Sequence, residues 1–191
     1  MNERDDMRDY IIKEAREVFA KYGYRKTTIE DIANSIYKAK SSIYHYFTGK
    51  EDIFKAVVEI EAAQVHSAIR EAVDAAKNPV DKLKAAMITI FLQLQEKKNY
   101  FTFIKEEWLA IFDFTVEARI KEGKKIDEII KNILIEGNNQ GVFTVKNIEE
   151  KTLAIQIAYK GFWDPFNFYD EINLKTIDNF LDLILEGLLK R

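Results

Sequence analysis

The chain has no cysteine among its 191 residues. Disulfide frames, thiol nucleophiles and Cys-ligated metals are therefore excluded. His45 and His66 are the only histidines, too few for a His-based zinc site, so neither a metal nor a cofactor is expected. The longest stretch without a charged residue is the 11 positions Ala85 to Gln95, about half of the ~20 apolar residues a membrane-crossing helix requires. The opening MNERDDMRD alternates in charge and has no apolar core of a secretory signal, so a cytoplasmic protein is expected. No nucleophile, base and orienting group stand at a diagnostic spacing, and no catalytic residue is assigned.

Prolines and glycines are also scarce, two and seven in number, and apolar positions recur at helical spacing almost throughout. The expected class is all-α, with about nine helices. The first is expected over about Arg8 to Tyr22 with Gly23 as its stop. Thr27 and Glu30 form a capping box for a short second helix burying Ile29, Ile32, Ala33 and Ile36. A third helix follows, with Ile43, Tyr46 and Phe47 inward and Lys40, Ser41, Ser42, Tyr44 and His45 outward. Thr48 and Glu51 repeat the box at the start of a long fourth helix. Asn78-Pro79 opens the next, as an N-cap followed by a proline that needs no amide partner. Further helices are expected over about Tyr100 to Lys121, Lys124 to Gln140, Ile148 to Phe162 and Leu174 to Leu189.

Charge is distributed unevenly. The net charge is −3, yet residues 21–50 hold six basic and two acidic side chains, a local +4. A basic segment on an acidic chain points to a polyanion at one end only. Two short helices joined by a tight turn, the second presenting Lys, Ser, Tyr and His, have the layout of a helix-turn-helix whose second helix fits the major groove.

The wording of this segment is more specific than its layout. Thr27-Thr28-Ile29-Glu30-Asp31-Ile32-Ala33, Ser42-Ile43-Tyr44-His45-Tyr46-Phe47 and Lys50-Glu51-Asp52-Ile53 resemble the TetR family of bacterial transcriptional repressors. Ala15, Phe19 and Gly23 fall at that family's spacing. The resemblance implies a DNA-binding domain over 1–47 and a larger helical ligand-binding and dimerisation domain over 48–191. It also implies that Thr27 or Thr28 caps the second helix and touches a phosphate, that Lys40, Ser41 and Ser42 face base edges, and that Tyr44, His45 and Lys50 bind phosphates. The turn departs from the family: Ile36, Tyr37, Lys38 and Ala39 replace a small residue, Gly, Val and Ser. Tyr37 then stands where glycine would take a positive φ, Ala39 cannot cap by its side chain, and Lys38 is expected to add a phosphate contact. Ile133 to Gly137, Gly141-Val142-Phe143 and Ala154 to Gly161 resemble the family's turn between its seventh and eighth helices.

The family's regulatory domain binds a small molecule and dimerises through its last two helices. Here the last helix carries an apolar arc too wide for one neighbour. Ile177, Leu181, Ile184 and Leu188 are the expected contacts of a homodimer. Phe91, Phe103, Trp108, Phe112, Tyr159, Phe162, Trp163 and Phe166 are the expected walls of a pocket for an apolar or aromatic ligand. Glu106, Glu107 and Asp113 could meet a cationic ligand, although acids on helices are usually solvated. The expected function is a repressor released from a palindromic double-stranded operator by that ligand, which favours a conformer whose recognition helices no longer match successive major grooves ~34 Å apart. The alternatives are a TetR-type regulator that is constitutive or governed by a protein partner, and a small helical enzyme or lipid-binding protein.

Overall fold

The computed structural model describes residues 3–100, 104–161 and 173–189. Among these residues it holds eight helices: α1 (Glu3–Tyr22), α2 (Ile29–Ser35), α3 (Lys40–Tyr44), α4 (Lys50–Ala75), α5 (Pro79–Tyr100), α6 (Ile104–Asn139), α7 (Ile148–Lys160) and α8 (Leu174–Leu188). The all-α expectation holds, with one correction in number. The two helices expected on either side of Gly123 are one continuous 36-residue helix. An isolated interior glycine costs only about 1 kcal/mol relative to alanine, which the flanking turns of buried apolar residues outweigh. Apart from the helix's own backbone and the two adjoining residues, nothing lies within 4 Å of where a Cβ on Gly123 would sit. Gly123→Ala should therefore raise stability by about 0.5–1 kcal/mol, read as a higher thermal midpoint; a lower midpoint would show that this glycine is needed.

Local signals set several boundaries. Asn78 accepts the Asp81 amide at 2.9 Å ahead of Pro79, and Asn147 and Asn173 cap α7 and α8 in the same way. Gly23 (φ 81°) and Gly141 (φ 68°) end α1 and α6 in the left-handed region. The first capping box is shifted by one residue from its expected place: Thr28, not Thr27, is the N-cap, and its partner is Asp31, not Glu30. At the start of α4 the reciprocal acid is Asp52, which accepts from the Thr48 amide at 2.9 Å.

The chain forms two compact units, Met1–Ala63 with Lys97–Lys121, and Gln64–Glu96 with Glu122–Arg191. In the first, Ile11, Ala15, Phe19, Ile32, Ile43, Phe47, Ile53, Phe54 and Val57 form the core together with Ile111 of α6. Phe54 meets Phe19 edge-on at 4.9 Å, and Tyr24 lies 5.1 Å from Phe114 of α6. A buried ionic cluster joins α1, α4 and α5: Glu61 pairs with Arg16, and its other oxygen lies 2.5 Å from Lys97 Nζ. In the second unit Leu83, Met87, Ile90, Ile130, Leu134, Ile177 and Leu181 form the core. Lys82 and Glu136 pair at 2.7 Å, and the Asn138 side chain bonds both the amide and the carbonyl of Val145. Among the described residues no helix is long and apolar enough to cross a membrane.

Candidate nucleic-acid interface

The short helix α3 is held from below by apolar anchors and leaves its outer side to polar groups. Ile43 and Phe47 are buried, whereas Lys40, Ser41, Tyr44 and His45 are exposed and Ser42 is half-buried. Arg8 of α1 stacks over Phe47 at 5.0 Å and holds the end of the motif. Lys38 adds a second exposed ammonium beside Lys40. Ala39 makes no side-chain cap, as its methyl requires. Residues 37–45 contain no acid, so the face offers only cations, hydroxyls and an imidazole, the donors that meet base edges and phosphates.

The two threonines before α2 have separate tasks. Thr28 is exposed, caps the helix and bonds Asp31 through both its hydroxyl and its amide, at 2.7 and 2.8 Å. Those bonds hold the Asp31 carboxyl below the usual carboxylate range, the side-chain bond most strongly. Thr27 is 1% exposed and its hydroxyl donates to the Gly23 carbonyl at 2.7 Å. It is therefore withdrawn from the outer surface, and Thr28 is the threonine whose side chain is exposed, with its hydroxyl donor on Asp31.

Lys50 also differs from expectation. Its ammonium donates to the carbonyls of Tyr24 and Arg25 at 2.8 and 3.3 Å and stands 4.5 Å over the Tyr24 ring. Burial lowers its pKa, with the nearby Glu107 and Glu51 opposing. The Arg25 amide, in the same peptide unit as the Tyr24 carbonyl, donates to Glu107 of α6 at 2.9 Å. One peptide group between α1 and α2 is thus pinned from both sides. An ammonium has three donors, and Lys50 engages two of them in holding this corner. Burial, then the charges of Glu51 and Glu107, push the Tyr24 phenol up to about 12. Glu107 is buried, not the solvated acid expected from sequence, and its bond to Arg25 spans 82 positions that no local pattern reveals.

The aromatic set is only partly placed. Phe91 and Tyr159 are buried in the core of the second unit, where Tyr159 donates to Asp127 at 2.7 Å; burial first, and then that bond, hold the phenol neutral beyond its ordinary range. Phe103, Phe162, Trp163 and Phe166 lie outside the described residues, as do the side chains of Trp108 and Phe112. An open groove of about 220 Å³ between α6 and α7 is lined by Asp127, Glu128, Lys131, Glu149, Thr152, Leu153 and Gln156, none of them from that set. In α8, Ile177, Leu181 and Leu188 point into the protomer's own core and Ile184 lies at its edge. The expected interface face is thus largely an internal one. The apolar side chains of these two helices that remain in solvent include Leu174 and Leu183 of α8, the latter at 71% exposure, and Leu153 and Ile157 of α7.

Comparison with known proteins agrees with this geometry. The family profile of bacterial regulatory proteins, tetR family, matches residues 11–57, the span from α1 into α4. The HTH-type transcriptional repressor KstR2 of Mycolicibacterium smegmatis is 30% identical over 141 residues, covering 71% of this chain and 67% of that protein. The biofilm operon regulator IcaR of Staphylococcus aureus, a negative transcriptional regulator, is 29% identical over 181 residues, covering 94% and 78%. A TetR/AcrR-family regulator from Thermobifida fusca superposes with a TM-score of 0.75 at 23% identity, covering 95% of this chain and 98% of that one. With its hydroxyl-capped α2, its cationic α3 and relatives spanning both units, the chain belongs to the TetR family of helix-turn-helix transcriptional regulators.

Proposed function

We propose that the chain is a homodimeric repressor that binds a palindromic operator through residues 1–47 and is released by an apolar or aromatic small molecule bound within residues 48–191. The observation that carries the DNA-binding half is the acid-free outer side of α3, with Lys38, Lys40, Ser41, Tyr44 and His45 exposed above buried Ile43 and Phe47. The third donor of Lys50 adds a phosphate contact, Thr28 adds another by turning its hydroxyl from Asp31 to the phosphate, and Ser42 reads from the edge of the groove. Dimerisation is supported by the exposed apolar side chains of α7 and α8, Leu153, Ile157 and Leu183, with Ile184 at their margin. These leave Ile177, Leu181 and Leu188 to support the interface from beneath. Ligand control is supported by the aromatic-rich sequence from Phe101 to Phe114 and by Ile111 and Phe114 of α6, which pack in the same core as the recognition helix. A ligand that displaces α6 therefore acts on the DNA-binding unit through packed side chains.

The test is to select duplexes from a random library with the full chain and measure affinity against salt. Log affinity should fall linearly with log salt, by about 0.9 per phosphate neutralised. Lys40→Ala should cost roughly 1–3 kcal/mol on the selected duplex and relax base preference at one position per half-site. Equal losses on selected and scrambled duplexes would remove Lys40 from base readout. A fatty acyl, aromatic or lipophilic cationic compound that stabilises the chain should lower operator affinity by the factor by which operator lowers its own; a tight binder without that effect would refute ligand control.

A further inference from the structure

Three helices end on a residue in the left-handed region: α1 at Gly23, α6 at Gly141 and α2 at Tyr37, whose φ is 54°. The ends of α2 and α6 are the same hydrogen-bonded motif. In α6 the Val142 amide returns to the Gly137 carbonyl at 2.9 Å and the Gly141 amide to Asn138 at 3.0 Å; in α2 the Lys38 amide returns to Ala33 at 3.0 Å and the Tyr37 amide to Asn34 at 3.1 Å. Only the residue at the left-handed position differs. Glycine adopts that conformation freely, whereas a side chain there brings its Cβ against the following carbonyl. Tyr37 is the only non-glycine residue at positive φ among the described residues.

Packing does not offset this strain. The Tyr37 side chain is 94% exposed, the most exposed of the large apolar side chains described. The residue is thus unfavourable twice, through its backbone and through a ring left in water, and backbone strain of this kind persists where function requires the side chain. Its position indicates the function. Tyr37 precedes α3 by three residues and is followed by exposed Lys38 and Lys40, with no acid before Phe47. A helix-turn-helix enters the major groove by the N-terminal end of its second helix, so the turn before α3 arrives beside the strand that borders the groove. A phenol suits that strand: its hydroxyl donates to a phosphate oxygen, and its ring lies against deoxyribose.

We infer that Tyr37 is a DNA-contacting residue that grips the sugar-phosphate backbone next to the groove entered by α3 and so sets the depth and register of that helix. This rests on the operator-binding reading above. The contact is with backbone, so it positions the protein and does not read sequence.

The experiment compares Tyr37→Gly, Tyr37→Asn and Tyr37→Phe in the full chain, on a duplex selected by the unsubstituted protein and on a scrambled duplex. Tyr37→Gly should raise the thermal midpoint by about 2–4 °C through release of strain. Tyr37→Phe should lose about tenfold in affinity per half-site on either duplex, the size of a hydrogen bond to a charged acceptor. Tyr37→Gly and Tyr37→Asn should lose about thirtyfold per half-site, because the ring's contact with deoxyribose goes as well. The salt slope should stay unchanged in all three, because a neutral phenol displaces no counterion, whereas Lys38→Ala should lower it by about 0.9 per half-site. Full affinity in Tyr37→Gly and Tyr37→Asn would overturn the inference. So would a loss confined to Tyr37→Gly, since asparagine also tolerates the left-handed region and the effect would then be one of turn stiffness. A midpoint that does not rise in Tyr37→Gly would overturn the strain argument. If selection enriches no duplex at all, the operator-binding reading itself fails, before any variant is compared.

Discussion

Glu61→Gln is expected to lower the unfolding free energy by about 3 kcal/mol, measured by urea denaturation of the full chain. The carboxylate is 7% exposed and draws together three helices, with Arg16 of α1 on one oxygen and Lys97 of α5 on the other at 2.5 Å. Glutamine keeps the volume but removes the charge, so the Lys97 ammonium, itself 7% exposed, loses a carboxylate it was buried against. The Arg16 guanidinium also reaches the exposed Glu17 at 3.0 Å. The stability of the pair against apolar replacement is a separate quantity. Exchanging a buried ion pair for hydrophobic residues is often neutral, whereas removing one partner is strongly destabilising. Glu61→Leu combined with Lys97→Met should therefore recover most of the loss. A loss under about 1 kcal/mol in Glu61→Gln would mean that water already screens the cluster, as it does for surface pairs.

That cluster illustrates which features a sequence displays and which it hides. Helices were legible because their signals are local: apolar spacing, Asn78 before Pro79, and glycines where a helix must turn left-handed. The helix-turn-helix was legible for the same reason, since its anchors Ile32, Ile43 and Phe47 fall within 16 positions of one another. Two hydroxyls and two acids stand side by side at 27–28 and 30–31, so the capping box could be read one residue early. Composition cannot choose between Thr27 and Thr28; packing does, by burying one against the Gly23 carbonyl. Gly123 reads as a break because its intrinsic preference is visible and the burial that overrides it is not. The arc of α8 was legible as amphipathic, but an apolar stripe does not say whether its partner is its own chain or a second copy. Glu61 with Lys97, Lys50 with Tyr24 and Glu107 with Arg25 join residues 26 to 82 positions apart. Pairings of that range have no periodicity to betray them.

The two glycines of α6 separate intrinsic preference from packing. Gly137→Ala should destabilise the chain by about 2–3 kcal/mol, opposite in sign to Gly123→Ala in the same helix. Both substitutions gain up to about 1 kcal/mol of helix propensity. At Gly137, however, a Cβ would lie 1.9 Å from Cδ2 of Phe143 and 2.5 Å from its Cε2. The ring is poorly placed to retreat. Phe143 is 3% exposed, its amide donates to the Gly137 carbonyl at 3.0 Å, and its backbone pairs with Leu189 just beyond α8. The next amide, Thr144, donates to the Leu188 carbonyl at 2.8 Å. Relieving the clash therefore moves the loop after α6 and the end of α8 together, the overpacking condition that costs about 1–3 kcal/mol and sometimes more. A double-mutant cycle with Phe143→Leu isolates the cause. The smaller side chain leaves room for the methyl, so the double variant should be more stable than the sum of the two single effects by at least about 1 kcal/mol. Additive losses would place the cost of Gly137→Ala outside its contact with Phe143.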